Sequence, residues 1–363
     1  MPRVFVYEFV CGGGWQAVDP QESPPESLLR EGRAMLRALV TDFAAISDVR
    51  VVTLRDARLS EPAMADCDVR EVHSAAEERN TICELAADAD WTVLIAPEFA
   101  RLLFERARWV EESGGRLLSP SAEVIAICTD KQRTAELLQA AGVPTPHGLP
   151  LDSLSVPPRG FSYPAVLKPR DGAGSQGVRW IHDKASFRDV AHEAAEQTTT
   201  EAGWRLEQYC PGLAASVALL CGPAGCFALP PCSQRLSDDE QFRYLGGTCP
   251  LPSEYGTRAK NLARRAVATL PNPNPSGYIG VDLVLGDDPT GSDDYVIEIN
   301  PRLTTSYVGL RGLAKSNLAD AMLAVVNGWQ PDLEFSSDRL EFDTEGKMSK
   351  PEQTFYASLS PSP

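Results

Sequence analysis

The chain has 363 residues, of which 34 are basic and 50 acidic, so its formal net charge is -16. This length suits two or three lobes with a substantial core, and the acidity argues against a broad surface for a nucleic-acid backbone. No apolar run approaches the roughly 20 residues that span a bilayer, which argues against a membrane-embedded protein.

Nine scattered cysteines without paired spacing predict reduced thiols. The first residues, "MPRVFVYEFV", lack the charged-then-apolar pattern of a signal peptide. We therefore expect a cytoplasmic protein. A monomer is the default expectation, and a homodimer is the alternative.

Strands and helices alternate along the first third of the chain. Runs rich in β-formers occur at 3–10, 51–54 and 91–98, and helical patterns separate and follow them. Alternation of this kind predicts a parallel sheet with crossover helices. We expect an α/β domain over residues 1–120.

The next segment, residues 121–200, begins with two predicted helices. The second has Thr129 or Asp130 as its cap and ends near Gly142. A β-like run, a glycine-rich segment and a second β-like run follow them. We expect this segment to form a small subdomain.

Residues 201–330 predict a larger subdomain. Three β-rich runs between 204 and 230 succeed one another with tight turns, which predicts an antiparallel sheet. A helix, two more strands and a final helix complete it. The polar, weakly periodic residues 331–363 predict a flexible tail.

Oxygen ligands gather in the last predicted hairpin. A turn centred near Thr290 places Asp282 opposite Glu298, and Asn300 shares the face of Glu298 because strand side chains alternate. Two facing, buried carboxylates need a cation, and hard oxygen ligands suit magnesium held together with phosphates. The alternative is that one carboxylate is solvated and the other makes a hydrogen bond.

The sequence "DGAGSQG" forms a glycine-rich loop with G-x-G-x-x-G spacing. A β-like run follows it, whereas a dinucleotide-binding fingerprint would open a helix. A hairpin of this type can lie over a triphosphate, because glycine lets backbone N–H groups approach phosphate oxygens. The alternative is a plain hairpin turn. The loop residues of interest are Gly172, Ala173, Gly174, Ser175 and Gly177.

Three cationic side chains accompany these motifs. Lys168 ends the strand that enters the glycine loop, and Lys131 begins a helix, where the helix dipole disfavours a cation unless an anion shares the site. Arg302 follows the predicted strand that carries Glu298 and Asn300, and it can reach a phosphate oxygen. Each of them alone can equally be a surface residue or an ion-pair partner.

The order of these motifs resembles the ATP-grasp superfamily of ligases over about residues 121–325. The resemblance rests on Lys131, Lys168, the glycine loop, "EQY" at 207–209, Asp282 and "EINPR" at 298–302. "VYEFVCGGG", "RYLGG" and "EINPRLTTSYVGLR" are also similar to the tyramine-glutamate ligase group of methanofuran biosynthesis and its bacterial relatives. The resemblance implies an ATP-grasp fold, of mixed α/β and α+β class, preceded by an N-terminal α/β (pre-ATP-grasp) domain.

The resemblance also implies a nucleotide site. Lys131 and Lys168 would contact the ATP phosphates, and the glycine loop would be a mobile lid. The adenine hinge would consist of Glu207, Gln208, Tyr209 and Cys210.

The same resemblance implies a catalytic centre. Asp282, Glu298 and Asn300 would hold one or two Mg²⁺ ions, or Mn²⁺. Arg302 would stabilise the transferred phosphoryl group together with Lys168, and Arg311 is a further candidate for this role.

Two positions depart from the patterns of this superfamily. Ala214 stands where many of its ligases have a glutamate that binds the ribose hydroxyls. Gly280 stands where D-alanine ligases have an arginine, which puts a D-alanine ligase in doubt. Ribose contacts and anion stabilisation must therefore come from other residues.

By resemblance, the function is that of an ATP-dependent carboxylate-amine ligase, with ATP, a carboxylic acid and an amine as partners. An acyl phosphate would form first, and ADP and phosphate would be released. In the narrower group, the γ-carboxylate of L-glutamate would be joined to tyramine or a similar amine or amino acid, as in a methanofuran-like pathway. The alternative is a non-catalytic ATP-binding sensor with the same fold.

Overall fold

The computed structural model describes residues 1–60, 67–151, 153–198, 200, 202–271 and 275–350. Within these residues the chain forms three β-sheets and a set of helices that cover them. The helices are α1 (Trp15–Val18), α2 (Glu26–Ala44), α3 (Ala75–Asp88), α4 (Leu102–Glu112), α5 (Ala122–Thr129), α6 (Lys131–Ala140), α7 (Phe187–Gln197), α8 (Ser253–Val267), α9 (Ser306–Leu313) and α10 (Leu318–Val326).

The strands fall into one parallel sheet and two further sheets. They are β1 (Arg3–Glu8), β2 (Arg50–Asp56), β3 (Asp68–Val72), β4 (Trp91–Ile95), β5 (Gly148–Leu151), β6 (Ala165–Pro169), β7 (Arg179–Ile181), β8 (Trp204–Gln208), β9 (Leu213–Gly222), β10 (Gly225–Ala228), β11 (Cys232–Leu236), β12 (Tyr244–Cys249), β13 (Gly277–Leu285), β14 (Tyr295–Asn300), β15 (Leu340–Phe342) and β16 (Met348–Ser349). No helix in the described part of the chain is both long enough and apolar enough to cross a bilayer.

The N-terminal domain is built on the predicted parallel sheet. Its strand order is β3-β2-β1-β4, and all three pairings are parallel. Every residue of β4 is buried, so both faces of this strand are covered. The edge strand β3 was missed because its sequence, "DVREV", is mostly polar and exposed and lacks the apolar run of a central strand.

A buried ion pair lies inside this domain. Arg106 on α4 binds Glu78 on α3 through Nε–Oε1 at 2.9 Å and Nη2–Oε2 at 3.0 Å. The hydroxyl of Tyr7 on β1 donates to Glu78 and accepts from Arg106 Nε at 2.9 Å. Both charged side chains are almost fully excluded from solvent, at 1% and 0% exposure. The network therefore joins two helices to the sheet.

The second sheet is antiparallel and has the order β5-β8-β6-β7. Strands β6 and β7 flank the glycine loop, so the predicted hairpin is present and no helix follows the loop. Strand β8 pairs with β5 and β6, whereas the sequence division at residue 200 assigned it to the next subdomain. That division falls too early, because the pairing partners of β8 lie upstream in the chain.

The third sheet carries the predicted hairpin. Its order is β14-β13-β9-β11-β12-β15-β16, with β10 paired to β9. Strands β13 and β14 are antiparallel, and Asp282 lies directly opposite Glu298, as the alternation predicted. Helices α5 and α6 pack against β14, and α8 packs against β13 and β14.

The prediction of a flexible tail from residue 331 is wrong for its first part. Strand β15 pairs with β12, and the ring of Phe342 is 1% exposed. Gly309 on α9 makes room for that ring, since a Cβ atom there would lie 2.2 Å from it. A three-residue strand is too short to show periodicity in a polar sequence. Residues 351–363, the rest of the predicted tail, lie outside the described residues.

We predict that Glu78→Ala lowers the free energy of unfolding by about 3–5 kcal/mol, because it leaves the buried guanidinium of Arg106 without its counter-charge. Glu84→Ala, at an exposed position of the same helix, is the matched control and should change stability by less than about 0.5 kcal/mol. Urea unfolding followed by circular dichroism measures both. Equal effects of the two substitutions would contradict the role given to the ion pair.

Glu8 provides a test of stability against pH. Burial, reinforced by the nearby Glu31, raises the pKa of Glu8 to about 7. In the unfolded chain a glutamate titrates near 4.3, so between these values only the folded form holds the proton. The contribution of Glu8 to stability is therefore present below about pH 4 and is lost as the pH rises through 7.

For Glu8→Gln we compare the free energy of unfolding of the variant with that of the wild type at each pH. We predict that this difference is more favourable to the variant at pH 8 than at pH 5 by on the order of 3 kcal/mol. The exposed substitution Glu22→Gln is the control. Thermal unfolding over this pH range gives the comparison. Parallel stability curves for Glu8→Gln and the wild type would refute the assignment.

Candidate active site

The three predicted metal ligands lie together on the β13–β14 hairpin. Asn300 donates from Nδ2 to Oδ2 of Asp282 at 2.9 Å, and Asp282 and Glu298 form a cross-strand pair. Gln234 on β11 donates from Nε2 to the other oxygen of Asp282, also at 2.9 Å. Sequence reasoning missed Gln234, because its place beside Asp282 depends on how β11 and β13 both pair with β9.

The electrostatics of this hairpin fit a cation. Burial and, next in size, the facing carboxylate of Glu298 raise the pKa of Asp282 to about 7. Among the described residues there is no metal-binding group of three or more His, Cys, Asp or Glu side chains. Two carboxylates and the amide oxygen of Asn300 form an incomplete set that suits Mg²⁺ when phosphate and water oxygens supply the remaining ligands. The residues present therefore fit magnesium.

Lys131 links the hairpin to the glycine loop. Its Nζ lies 2.9 Å from Oε1 of Glu298 and donates to the carbonyl oxygen of Gly172 at 2.8 Å. Asp130 caps helix α6, as one of the two predicted caps, by accepting from the backbone N–H groups of Gln132 and Arg133. The ammonium at this helix start is thus balanced by an anionic side chain and a carbonyl oxygen.

Lys168 lies in a second buried cluster on the small sheet. Its Nζ is 2.5 Å from Oε1 of Glu207, and Arg205 Nε is 3.1 Å from Oε2 of the same carboxylate. Each of these three side chains is less than 10% exposed. Glu207 therefore holds the lysine in place from β8, and the other predicted hinge residues, Gln208, Tyr209 and Cys210, follow at the end of that strand.

Three residues of the glycine loop adopt the left-handed backbone conformation. Gly174, Ser175 and Gly177 have φ values of +63°, +61° and +72°. A Cβ atom on Gly177 would lie 2.8 Å from Oγ1 of Thr198, so a larger side chain would collide there. Gly172 contributes its carbonyl oxygen to Lys131, and Ala173 accepts a hydrogen bond from the backbone of Gln176.

Residues 237–243, between β11 and β12, cover the glycine loop. Ser175 Oγ donates to the carbonyl oxygen of Phe242 at 2.8 Å. The ring of Trp180 stacks on Tyr209, with centroids 4.2 Å apart, and on Phe242 at 5.8 Å. Sequence reasoning missed this cover. The aromatic residues around the glycine loop were the available signal, but they are far apart in the chain.

Arg302, two residues after the end of β14, has several acidic neighbours. Its Nε donates to Oε1 of Glu98 at 2.7 Å. Burial alone would lower the pKa of Arg302, but Glu98, Glu31 and Glu298 raise it overall. Sequence reasoning missed Glu98 and Glu31. The available signal for Glu98 was its position just after β4, at the carboxyl end of a parallel sheet, where ligands of such sheets bind.

Arg311 is held elsewhere. Its guanidinium binds the carboxylate of Asp42 on α2, with Nη2–Oδ1 at 2.6 Å. The Tyr307 hydroxyl donates to the same carboxylate at 2.6 Å, and Asn317 donates to the backbone carbonyl of Asp42. These contacts dock α9 and the start of α10 onto the N-terminal domain, which argues against the predicted catalytic role of Arg311.

The two sequence departures have clear places in the structure. Gly280 lies opposite Asn300, and a Cβ atom there would be 2.6 Å from Cγ2 of Thr304, so an arginine does not fit. Ala214 is part of β9 and pairs with Val284.

Two family models match consecutive parts of the chain. Residues 128–306 match the family described as ATP-grasp domain, and residues 49–125 match the family described as pre ATP-grasp 3 domain. A relative over nearly the whole chain is the tyramine–L-glutamate ligase of Methanocaldococcus jannaschii. It is 23% identical over 334 residues, which are 92% of this chain and 91% of that protein.

Solved structures share the fold. An ATP-grasp superfamily protein from Archaeoglobus fulgidus aligns with a TM-score of 0.69 at 22% identity, covering 94% of this chain and 92% of the other. An L-amino acid ligase from Bacillus licheniformis aligns with a TM-score of 0.69 at 16% identity, covering 94% and 79%. The chain belongs to the ATP-grasp superfamily and carries a pre-ATP-grasp domain ahead of its ATP-grasp domain.

Proposed function

We propose that this ATP-dependent ligase joins a carboxylic acid to an amine through an acyl phosphate, with release of ADP and phosphate. The observation that carries the proposal is the position of the Lys131 ammonium, in contact with both the glycine loop and the carboxylate of Glu298. A triphosphate covered by that loop would meet a cation and the metal-binding oxygens at the same place. The three elements that phosphoryl transfer requires, positioning, charge neutralisation and a cover, therefore converge.

Lys131 and Lys168 are proposed to bind the ATP phosphates. Both side chains are buried, at 7% and 5% exposure, so an anion that binds them would be shielded from water. Electrostatic attraction is stronger in such a shielded place than in water. The backbone of Glu207, Gln208, Tyr209 and Cys210 is proposed to line the adenine. The glycine loop is proposed to close over the phosphates and to exclude water that would hydrolyse an acyl phosphate.

Asp282, Glu298 and Asn300 are proposed to hold Mg²⁺, or Mn²⁺ in its place. When bound, the ion would neutralise negative charge on the phosphate oxygens. Asn300 already orients Asp282 by its hydrogen bond, and Gln234 fixes the other oxygen. These contacts hold the carboxylate of Asp282 in one rotamer, so the side chain loses less conformational entropy when a cation binds.

The proposed chemistry needs no nucleophile from the protein. The substrate carboxylate attacks the γ-phosphoryl group and ADP leaves; the amine then attacks the acyl carbon and phosphate leaves. Arg302 would stabilise the charge on the transferred oxygens. Two thiols lie near these groups, but burial raises the pKa of Cys210 to about 12 and that of Cys128 well above its ordinary value. Both therefore stay protonated and are poor nucleophiles.

L-Glutamate, reacting through its γ-carboxylate, and tyramine or a similar amine are the proposed substrates. The support is the name of the relative from Methanocaldococcus jannaschii and the length of the match, 92% of this chain. An identity of 23% leaves room for a different amine or amino acid.

We predict that Glu298→Ala combined with Asn300→Ala lowers ADP formation at least about 100-fold, because the charge on the transferred oxygens is no longer neutralised. Isothermal titration should show that wild-type ATP binding requires Mg²⁺ and that the double variant has lost this requirement. Asp287→Ala, at an exposed position of the connecting turn, is the control and should behave as wild type. Near-normal turnover in a folded double variant would remove the metal assignment.

We predict that ADP release is low with ATP alone, because the γ-phosphoryl group then has no carboxylate acceptor. It should rise at least about tenfold with the correct acid and amine, because the amine removes the acyl group and allows turnover. The decisive measurement is a coupled ADP assay that screens amino acids against aromatic amines, beginning with L-glutamate and tyramine. Mass spectrometry of the product identifies the new amide. A chain that binds ATP but responds to no pair would favour the nucleotide sensor instead.

A further inference from the structure

The carboxylate of Glu98 has one unused oxygen. Its Oε1 accepts from Arg302 Nε at 2.7 Å, whereas its Oε2 is buried and has no hydrogen-bond partner among the described residues. Glu98 is only 2% exposed, so water does not solvate the charge freely. A buried, unpaired carboxylate oxygen is costly, and native structures tolerate one chiefly where a ligand or an ordered water completes it.

The surroundings of Glu98 carry an excess of negative charge. Arg302 interacts electrostatically with Glu98, Glu31 and Glu298 and also lowers the pKa of Asp282. Against these four carboxylates stand the guanidinium of Arg302 and the ammonium of Lys131, which is bound to Glu298. The guanidinium of Arg302 is therefore shared among several carboxylates. A magnesium ion at Asp282 and Glu298 would be surrounded by the charge of the nucleotide, so it would leave Glu98 and Glu31 undercompensated.

Glu31 reaches this place from a different element. It lies on α2 and accepts a hydrogen bond from Thr305, three residues after Arg302. Glu98 follows β4, so both carboxylates come from the N-terminal domain, whereas the proposed phosphate and metal ligands come from the ATP-grasp domain. The acidic groups beside Arg302 therefore belong to a different domain from the proposed nucleotide site. Both sets of residues nevertheless interact with Arg302.

We propose that Glu98 and Glu31 form the subsite for the amine substrate, which they bind as a primary ammonium group. This inference rests on the proposed function. Glu98 would also position Arg302 with its first oxygen, while its second accepts from the substrate ammonium and takes one of its protons before the neutral amine attacks the acyl carbon. A primary ammonium has three donors and a compact charge, which matches an unpaired carboxylate oxygen better than an uncharged hydroxyl or methyl group does.

The test uses variants that keep the shape of the side chain and remove its charge. Glu98→Gln and Glu31→Gln are compared with Glu112→Gln, an exposed glutamate of the same domain. Isothermal titration, with Mg²⁺ and a non-hydrolysable ATP analogue present, measures binding of tyramine and butylamine. Their uncharged counterparts, 4-ethylphenol and butanol, are titrated in parallel. Circular dichroism and ATP-analogue affinity show whether each variant is folded.

The wild-type protein and Glu112→Gln should bind at least one amine at least about tenfold more tightly than its uncharged counterpart. Glu98→Gln should lose at least about tenfold of that amine affinity, as expected when one partner of a buried charge pair is neutralised. Glu31→Gln should lose less, because Glu31 is only partly buried. Affinity for the uncharged compounds should not change, which separates a subsite from a merely structural role.

Three results would overturn the proposal: no preference of the wild type for either amine, unchanged amine affinity in both variants, or a loss confined to the Mg²⁺ dependence of nucleotide binding. The last would make these carboxylates metal ligands. Failure of the proposed function looks different. Amine binding would then depend on Glu98, but no acid and amine pair would raise ADP release in the coupled assay.

Discussion

The ammonium of Lys131 is the contact on which the arrangement of the site depends. It joins the carboxylate of Glu298 to the carbonyl oxygen of Gly172, so one cation connects the β13–β14 hairpin, the glycine loop and the start of helix α6. A lysine at a helix start and 7% exposed is unfavourable unless anionic oxygens surround it. In the proposed function, the same ammonium would exchange part of these contacts for a contact with the triphosphate of ATP.

The site contains two acidic centres, and they differ in how their negative charge is neutralised. Asp282 is supported by neutral donors and Glu298 by Lys131, an arrangement that fits the proposed divalent ion. Glu98 binds Arg302 and Glu31 interacts with it electrostatically, while one buried oxygen of Glu98 has no hydrogen-bond partner within the part of the chain that the structure describes. Arg302 interacts electrostatically with carboxylates of both centres. This sharing would couple occupancy of the proposed amine subsite to the phosphoryl-transfer centre.

The N-terminal domain contributes to the site because it is docked firmly. The contacts of Asp42 with Arg311, Tyr307 and Asn317 fix α2 against α9 and α10, and Glu31 lies on that same helix. Arg311, a predicted catalytic candidate, is bound to Asp42 in this contact. This contact helps to hold α2, and with it Glu31, in position. The sequence did not reveal that Glu31 lies near the site.

Local features were predicted well because their physical cause lies within one segment. The period of two along β14 puts Glu298 and Asn300 on one face, and the turn length sets Asp282 opposite Glu298. The cap at Asp130 and the strand after the glycine loop were readable for the same reason. The short strand β15 was missed because three residues carry too little periodicity.

The sequence by itself determined the order of the nucleotide and metal motifs, the hairpin register and the family resemblance. Only the tertiary structure decided which charges meet. Glu98 and Arg302 are 204 positions apart, and Asp42 and Arg311 are 269 apart. Alternation and capping depend on neighbours along the chain, whereas the partner of a buried charge depends on how whole domains pack, which no local pattern encodes.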